Sequence, residues 1–153
     1  MKINPYELKA KEGLSLINGT SVMTGIGALL CNQAEHILLV ATHLGALALE
    51  CVHAYDDSIA NKLHSVRNHL GQVEIAKNLR EILSSSKMLR KRFNLKHPAE
   101  INGESIEIPE MVQEFYSIRC IPQILGPVYD TIQRTRVVIE TEMNSASDNP
   151  IVD

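Results

Sequence analysis

The sequence predicts an all-α protein organised around one long helix. Apolar residues recur at steps of three and four in several separate stretches, which is the spacing of residues along one face of a helix. The alternation of apolar and polar residues that is typical of a half-buried strand is weak throughout. With 153 residues, the chain has the length of one domain. We therefore treat residues 1–153 as a single helical segment that belongs to a larger bundle.

The longest helix is predicted over residues 21–54. Thr20 or Ser21, directly after Gly19, is a suitable N-cap for it. At about 1.5 Å per residue, a helix of about 33 residues is about 50 Å long, which is typical of a large bundle. Its apolar markers are Val22, Ile26, Leu29, Leu30, Ile37, Val40, Leu44, Leu47 and Cys51.

Polar side chains interrupt this helix at every depth and argue against a membrane span, because such residues are costly in lipid. They are Asn32, Gln33, Glu35, His36, His43 and Glu50. Apolar residues on most sides indicate that other helices surround it. The chain contains too few other helices to do so, and we therefore expect a homo-oligomer.

Two shorter helices are predicted over residues 72–86 and 122–146. The apolar residues of the first are Val73, Ala76, Leu79, Ile82 and Leu83. Those of the second are Ile124, Val128, Ile132, Val137 and Ile139. Between these helices, a loop of mixed charge is predicted from Lys87 to Pro109.

Composition and charge narrow the functional classes. The net charge of -3 gives the chain no overall attraction to nucleic acid or to a membrane surface. The basic run Lys87–Lys96 can contact phosphate, but a solvated, mobile loop is the favoured interpretation. We expect neither nucleic acid nor a membrane as a partner.

The cysteines indicate the compartment. Cys31, Cys51 and Cys120 are odd in number and widely spaced, which argues against a disulfide framework and against a zinc site. No basic stretch followed by an apolar one opens the chain, so no secretory signal is predicted. The predicted localisation is cytoplasmic.

The histidines of the long helix invite a metal hypothesis. His36, His43 and Glu50 are seven residues apart, which places neighbouring Cβ atoms about 10 Å from each other along the helix. Helical zinc ligands lie three or four residues apart, and this spacing is too wide for one ion. We predict no metal site, and we expect histidines that are satisfied in the interior or at an interface.

Gln113, Tyr116 and Arg119 follow one another at intervals of three and would span about 120° of a helix circumference. Arginine can hold a carboxylate in a two-pronged contact. A tyrosine phenol can donate a hydrogen bond, accept one or lose its proton, and glutamine can brace both neighbours. These residues alone leave two interpretations open, which are a solvated helix face and a substrate site.

Four stretches of the chain, taken in order, resemble the aromatic amino acid lyase family, which comprises the histidine, phenylalanine and tyrosine ammonia-lyases and the related 2,3-aminomutases. The stretches are "KEGLSLINGTSVMTG", "HSVRNHLGQVEIAKNLREIL", "VQEFYSIRCIPQILGP" and "ETEMNSASDNPIVD". Together they cover nearly the whole chain. Their most specific motifs are N-G-T after "EGL", the run Q-x-x-Y-x-x-R-C-x-P-Q, and S-x-x-D-N-P.

The resemblance implies a cytoplasmic homotetramer with a core of long helices and active sites assembled from three subunits. It also implies a self-derived electrophile, 4-methylidene-imidazol-5-one, which forms from an Ala-Ser-Gly tripeptide. The substrate would be an L-amino acid, either aromatic or histidine. It would lose its β-proton and its amine to give an α,β-unsaturated acid and ammonia.

The same resemblance implies roles for four residues. Asn18 matches the asparagine beside the prosthetic group and substrate. Arg119 matches the clamp for the substrate carboxylate. Tyr116 matches the tyrosine that lines the site near the electrophile from a neighbouring subunit, and Gln113 matches its supporting polar partner.

The sequence departs from the family pattern in lacking Ala-Ser-Gly, and the "NFHG"-type segment after D-N-P is also missing. We therefore expect a central segment of such an enzyme that by itself neither forms the electrophile nor turns over substrate. The alternative is a helical scaffold without catalysis. The "PQILGP" stretch leans slightly towards phenylalanine or tyrosine as substrate, and nothing separates a lyase from an aminomutase.

Overall fold

The computed structural model describes residues 3–91 and 113–146, and this part of the chain is all-α, as predicted. The α-helices in those ranges are α1 (Glu12–Ile17), α2 (Ser21–Cys51), α3 (Asn61–Ser65), α4 (Leu70–Ile82), α5 (Tyr116–Arg119) and α6 (Ile121–Met143). A 3-10 helix, Asp56–Ile59, precedes α3. Within the same ranges, β structure is limited to an isolated parallel bridge between Tyr55 and Arg90.

The three long helices lie where apolar periodicity predicts them, but their ends differ by a few residues. α2 ends at Cys51 rather than near residue 54, and His53 then adopts a positive φ of 49° that a helix does not allow. α4 ends at Ile82, four residues before the predicted end. α6 ends at Met143, where the side chain of Asn144 donates to the carbonyl of Glu140 at 2.7 Å.

The core lies where α2, α4 and α6 meet. α6 runs antiparallel to α2, because Ile121 at its start lies beside Gly45, whereas Glu142 near its end accepts a hydrogen bond from the Thr20 hydroxyl. The residues that form the buried apolar cluster are Leu38, Ala46, Leu49, Ala54, Ile59, Ile75, Leu79, Leu83, Ile121 and Ile132.

Two glycines allow the closest approach in this core. A Cβ atom on Gly71 of α4 would lie 2.2 Å from the carbonyl oxygen of Gly126. A Cβ atom on Gly126 of α6 would lie 2.5 Å from the backbone nitrogen of Gln72. Since these neighbours are backbone atoms that cannot rotate away, α4 and α6 can cross at this distance only with glycine on both sides.

The face that α2 buries is not the one marked by its largest apolar residues. Its buried residues are Thr24, Leu38, Thr42, Ala46 and Leu49. Apolar side chains that stay exposed on α2 are Val22, Met23, Ile26, Leu29, Leu30, Ile37, Leu39, Val40, Leu44 and Leu47. Periodicity therefore predicts the helix correctly, while most of its apolar surface is left uncovered by the described residues.

By length and composition alone, the segment Glu12–Cys51 contains an 18-residue window apolar enough to cross a membrane, with a mean hydropathy of 1.5. The buried core helix of a soluble protein meets the same criteria, but only 6% of this window is buried by the described residues. Part-way along this segment, Glu35 lies 3.6 Å from the guanidinium of Arg136 on α6, so one of its charged side chains is engaged with another helix of the same chain. That the chain has no membrane partner stays a prediction.

Candidate functional site

The stretch from Gln113 to Cys120 forms a short connection that leads into α6. Its helical part, α5, begins only at Tyr116. Gln113 precedes this helix in a bend, so the interpretation of Gln113, Tyr116 and Arg119 as one arc of a single helix is wrong at its first residue. A single turn of helix joins Tyr116 to Arg119 and keeps these two side chains adjacent.

Arg119 and Tyr116 stack on each other. The guanidinium carbon of Arg119 lies 4.1 Å from the centre of the Tyr116 ring, a distance at which a cation and an aromatic face attract each other. Tyr116 is 73% exposed, whereas Arg119 is half-buried. The Nε atom of Arg119 is buried and has no hydrogen-bond partner among the described residues. The pair therefore presents a free phenol beside a guanidinium donor that is not satisfied within residues 3–91 and 113–146.

A cavity of about 220 Å³ opens beside Arg119. Its lining residues are Asp57, Ser58, Leu63, Gln113, Glu114, Arg119, Cys120 and Gln123. Gln113 and Arg119 thus share one cavity although they do not share a helix. Gln123, one helical turn after Arg119, also lines the cavity, and its buried Oε1 atom has no partner among the described residues. A donor and an acceptor without partners make this cavity suitable for a small polar ligand.

Glu114 fastens the start of the connection to the rest of the chain. Its side chain is only 6% exposed, and its Oε1 atom accepts from the backbone N–H of Tyr55 at 3.1 Å and from Nη2 of Arg90 at 3.0 Å. The guanidinium of Arg90 also lies 4.1 Å above the Tyr55 ring. Glu114 is therefore a paired, buried charge and not a solvent-facing acid.

The described part of the basic run contacts acidic partners from elsewhere in the chain. Arg90 pairs with Glu114, and Nζ of Lys91 lies 3.1 Å from a carboxylate oxygen of Asp56. Both side chains stay in contact with solvent, since that of Arg90 is 40% exposed and that of Lys91 is 60% exposed, and the mobility of this loop stays a prediction. Residues 92–96 of that run lie outside the described residues.

His64 contacts Ser58, one of the residues that line the cavity. Its Nε2 atom donates to the Ser58 carbonyl at 2.9 Å, because a carbonyl can only accept. Its Nδ1 atom must then accept from Nε2 of Gln72, also at 2.9 Å, so the imidazole is held in one neutral tautomer. Burial lowers the pKa of His64, the positive charges of Arg80 and Arg67 lower it further, and the hydrogen bond to Ser58 opposes them.

Asn18 does not join this site within one chain. It is exposed at the end of α1, where its backbone N–H donates to the Leu14 carbonyl at 3.0 Å. Gly19 follows with a positive φ of 83°, which allows the tight turn into α2. Asn18 thus lies near the end of α6, and Arg119 lies at its beginning. The 23 residues of α6 span about 34 Å at about 1.5 Å per residue, so the two residues are a helix length apart.

Sequence reasoning missed Glu114, Gln123 and His64. The step of four from Arg119 to Gln123 could have indicated Gln123, because residues four apart share a helix face. Glu114 and His64 carry no such signal, since their partners lie far away in the sequence. The histidines of α2, which we expected in the interior or at an interface, are not buried by the described residues. His36 and His43 are exposed, and a ring nitrogen of His43 lies 2.8 Å from the carbonyl of Leu39. The end of the S-x-x-D-N-P motif, residues 147–150, lies outside the described residues.

Solved structures resemble this fold closely. The phenylalanine aminomutase of Pantoea agglomerans superimposes with a TM-score of 0.85 at 35% identity, over 99% of this chain and 30% of that one. A tyrosine aminomutase from Streptomyces globisporus gives a TM-score of 0.86 at 36% identity, with the same coverage.

Similar sequences carry a related name. A histidine ammonia-lyase from Koribacter versatilis (strain Ellin345) is 41% identical over 150 residues, which are 98% of this chain and 26% of that protein. The chain thus spans about a quarter of the length of this relative. The family described as aromatic amino acid lyase matches residues 1–153. The chain belongs to the aromatic amino acid lyase family.

Proposed function

We propose that this chain is the central segment of an ammonia-lyase that eliminates ammonia from an L-amino acid. The observation that carries the proposal is Arg119, whose buried Nε lacks a partner among the described residues while it lines a cavity beside the exposed Tyr116. A guanidinium with a free N–H suits the carboxylate that every amino acid carries. Family membership makes this class of substrate the first choice.

The cavity side chains divide the task of holding the substrate. Arg119 would bind the carboxylate, and Gln113, which lines the same cavity, would help to orient it. The phenol of Tyr116 is exposed, and it can exchange a proton with a group that approaches from outside this chain. Asn18, on a separate surface, would contact the substrate in a site completed by another copy. These roles follow the family resemblance.

The family resemblance implies that an electrophile activates the substrate, because an amine is a poor leaving group and standard side chains offer no comparable electrophile. In the resembling family 4-methylidene-imidazol-5-one supplies it, formed from Ala-Ser-Gly. This sequence contains no such tripeptide. The residues present fit a site for such a group, since the exposed phenol of Tyr116 stacks on Arg119, and Arg119 lines an open cavity. Tyr116 would face the group, while Arg119 would hold the substrate beside it.

Two outcomes within the family are distinguished by their products. A lyase acting on histidine, phenylalanine or tyrosine gives urocanate, cinnamate or coumarate, whose conjugated acids absorb in the ultraviolet. A 2,3-aminomutase gives a β-amino acid instead. Histidine comes from the name of the sequence relative, and phenylalanine and tyrosine come from the names of the structural neighbours. All three substrates belong in the first assay.

The test uses the full-length protein that contains this segment and compares it with its Arg119→Met variant. Methionine keeps much of the length but removes the charge, so KM for the amino acid should rise about 10- to 100-fold, the equivalent of about 1.5–3 kcal/mol for a charged hydrogen bond. Arg136→Met is the matched control, because that exposed arginine on α6 pairs with Glu140 at 2.8 Å far from the cavity. Equal KM values for both variants would contradict the assignment of Arg119. No product from any of the three substrates would favour the scaffold alternative.

A further inference from the structure

We propose that Glu114 is a positioning residue for the substrate grip, by which we mean Tyr116 and Arg119 together. The inference rests on the proposed function for what the grip holds. Neither the Q-x-x-Y-x-x-R-C-x-P-Q motif nor the family resemblance assigned a role to Glu114. Glu114 itself touches no substrate in this proposal, since its carboxylate is occupied by partners within the chain.

Several hydrogen bonds hold together the residues that Glu114 contacts. Beyond its pair with Glu114, Arg90 donates from Nε to the carbonyl of His53. Its backbone N–H donates to the Ala54 carbonyl at 2.9 Å, and its carbonyl accepts from the N–H of Asp56 at 3.0 Å. Residues 53–56 and Arg90 therefore form one small platform that continues directly from the end of α2. Both hydrogen bonds of Glu114 end on this platform.

The grip depends on an external anchor because α5 is only four residues long. A single turn of helix does not hold itself together in water, since its nucleation costs more than its few hydrogen bonds return. On its C-terminal side the turn continues into α6, where Ile121 and Pro122 are buried. On its N-terminal side Phe115 is 74% exposed, so its side chain provides little burial to hold the turn in place. Glu114 is the buried residue on that side, two positions before Tyr116.

The same platform connects the anchor to the cavity. Directly after it, Asp57 and Ser58 line the same cavity as Gln113 and Arg119. The contact of Glu114 with Tyr55 and Arg90 therefore links the segment that carries the grip to the segment that carries Asp57 and Ser58. Loss of that contact should loosen the grip relative to Asp57 and Ser58 without disturbing the core of α2, α4 and α6.

Hydrogen–deuterium exchange on the full-length protein tests the anchor without requiring activity. The reporters are the amides of Ile118, Arg119 and Cys120, which donate to the carbonyls of Phe115 and Tyr116. In Glu114→Ala we expect these amides to exchange about tenfold faster or more, because a charged hydrogen bond is lost. Amides around Ile132 in α6 should keep their rates.

Two further variants make the exchange test decisive. Glu114→Gln retains an oxygen that can accept from the Tyr55 N–H, so it should recover part of the protection that alanine removes. Glu74→Ala is the matched control, because it removes a partly exposed acid that pairs with Lys77 along α4. If the alanine variant unfolds as a whole, the glutamine variant decides. Rates at 118–120 equal to wild type in both Glu114 variants would overturn the proposal.

Kinetics separates positioning from general stability. Glu114→Ala and Arg90→Met should each raise KM for the amino acid. The KM of the double variant should be no higher than that of the single variant with the higher KM. Additive effects of the two substitutions would contradict a shared anchor. If the wild-type protein converts no amino acid, the proposed function fails, and the exchange rates alone then decide the role of Glu114.

Discussion

His64 shows how much one buried side chain can determine. It is 0% exposed, and each ring nitrogen has a single partner, the carbonyl of Ser58 on one side and the amide of Gln72 on the other. A second proton would have to sit on Nδ1, directly opposite the NH2 group of Gln72. The glutamine amide would need to turn over, and a buried cation would still lack solvent.

The pH dependence of stability should reveal this residue. Burial holds the pKa of His64 below the usual value of 6.5, so below that pH the unfolded chain binds more protons than the folded one. The contribution of neutral His64 to the free energy of unfolding is fully present above about pH 6.5, the ordinary pKa of histidine. It is lost as the pH falls through the folded-state pKa. Urea unfolding at pH 5 to 8, at one fixed protein concentration, measures it.

The matched variants for this measurement are His64→Gln and His43→Gln. The first should flatten the slope of unfolding free energy against pH. The second removes an exposed histidine with one local hydrogen bond to Leu39 and should leave the slope as it is. An unchanged slope in His64→Gln would show that other groups carry the acid sensitivity.

Prediction from the sequence succeeds unevenly at this scale. The spacing of three between Tyr116 and Arg119 keeps them adjacent because a helical turn does form there. Gln113 fails the same reasoning, because Glu114 is drawn towards Tyr55 and Arg90 and the helix begins only afterwards. That attraction depends on a residue 59 positions away, and no local pattern contains it.

Helices α4 and α6 pack closely because each has a glycine, without a side chain, where the two helices cross. Gly71 and Gly126 place backbone against backbone, and the distances leave no room for even one methyl group. Periodicity finds both helices, since apolar side chains at steps of three and four mark their buried faces. Periodicity cannot predict where the two helices cross. A glycine within a helix adds no apolar side chain to the pattern, and its role becomes visible only when the neighbouring helix is known.

Gly126→Ala should therefore destabilise the protein despite alanine being the better helix former. Its Cβ would press on the backbone of Gln72, and overpacking of this kind costs about 1–3 kcal/mol or more. Gly27→Ala is the control, because its Cβ would meet only the side chain of Ile139, at an ordinary 3.5 Å, and gains helix propensity. Thermal unfolding of both variants against wild type measures the difference. A Gly126→Ala protein as stable as Gly27→Ala would contradict the crossing described here.

On the scale of the whole molecule, the antiparallel packing of α2 and α6 separates residues that the family motifs bring together. Asn18 lies beside the end of α6 and Arg119 at its beginning, a helix length apart. One amino acid is far too small to touch both. If both serve one substrate, they must come from different copies of the chain, as the predicted homo-oligomer would allow.

Mixed assemblies should demonstrate this sharing. At a substrate concentration far below the wild-type KM, Asn18→Ala and Arg119→Met should each be much less active than wild type, but co-expression lets one variant supply the intact asparagine and the other the intact arginine. With random mixing, about a quarter of the sites in a symmetric oligomer would then have both residues. Product formation by purified mixed oligomers measures the recovery. No recovery beyond the separate variants would place both residues in a site from one copy.

The exposed apolar surface of α2 has a consequence for the meaning of stability in this protein. Ten large apolar side chains of α2 are exposed to solvent and are not covered by the described residues. Because burying such a surface is favourable in water, it favours association of this helix with other protein surfaces. Folding and assembly would then be a single reaction, with a molecularity above one. The free energy of unfolding of such a protein has no value without a stated protomer concentration.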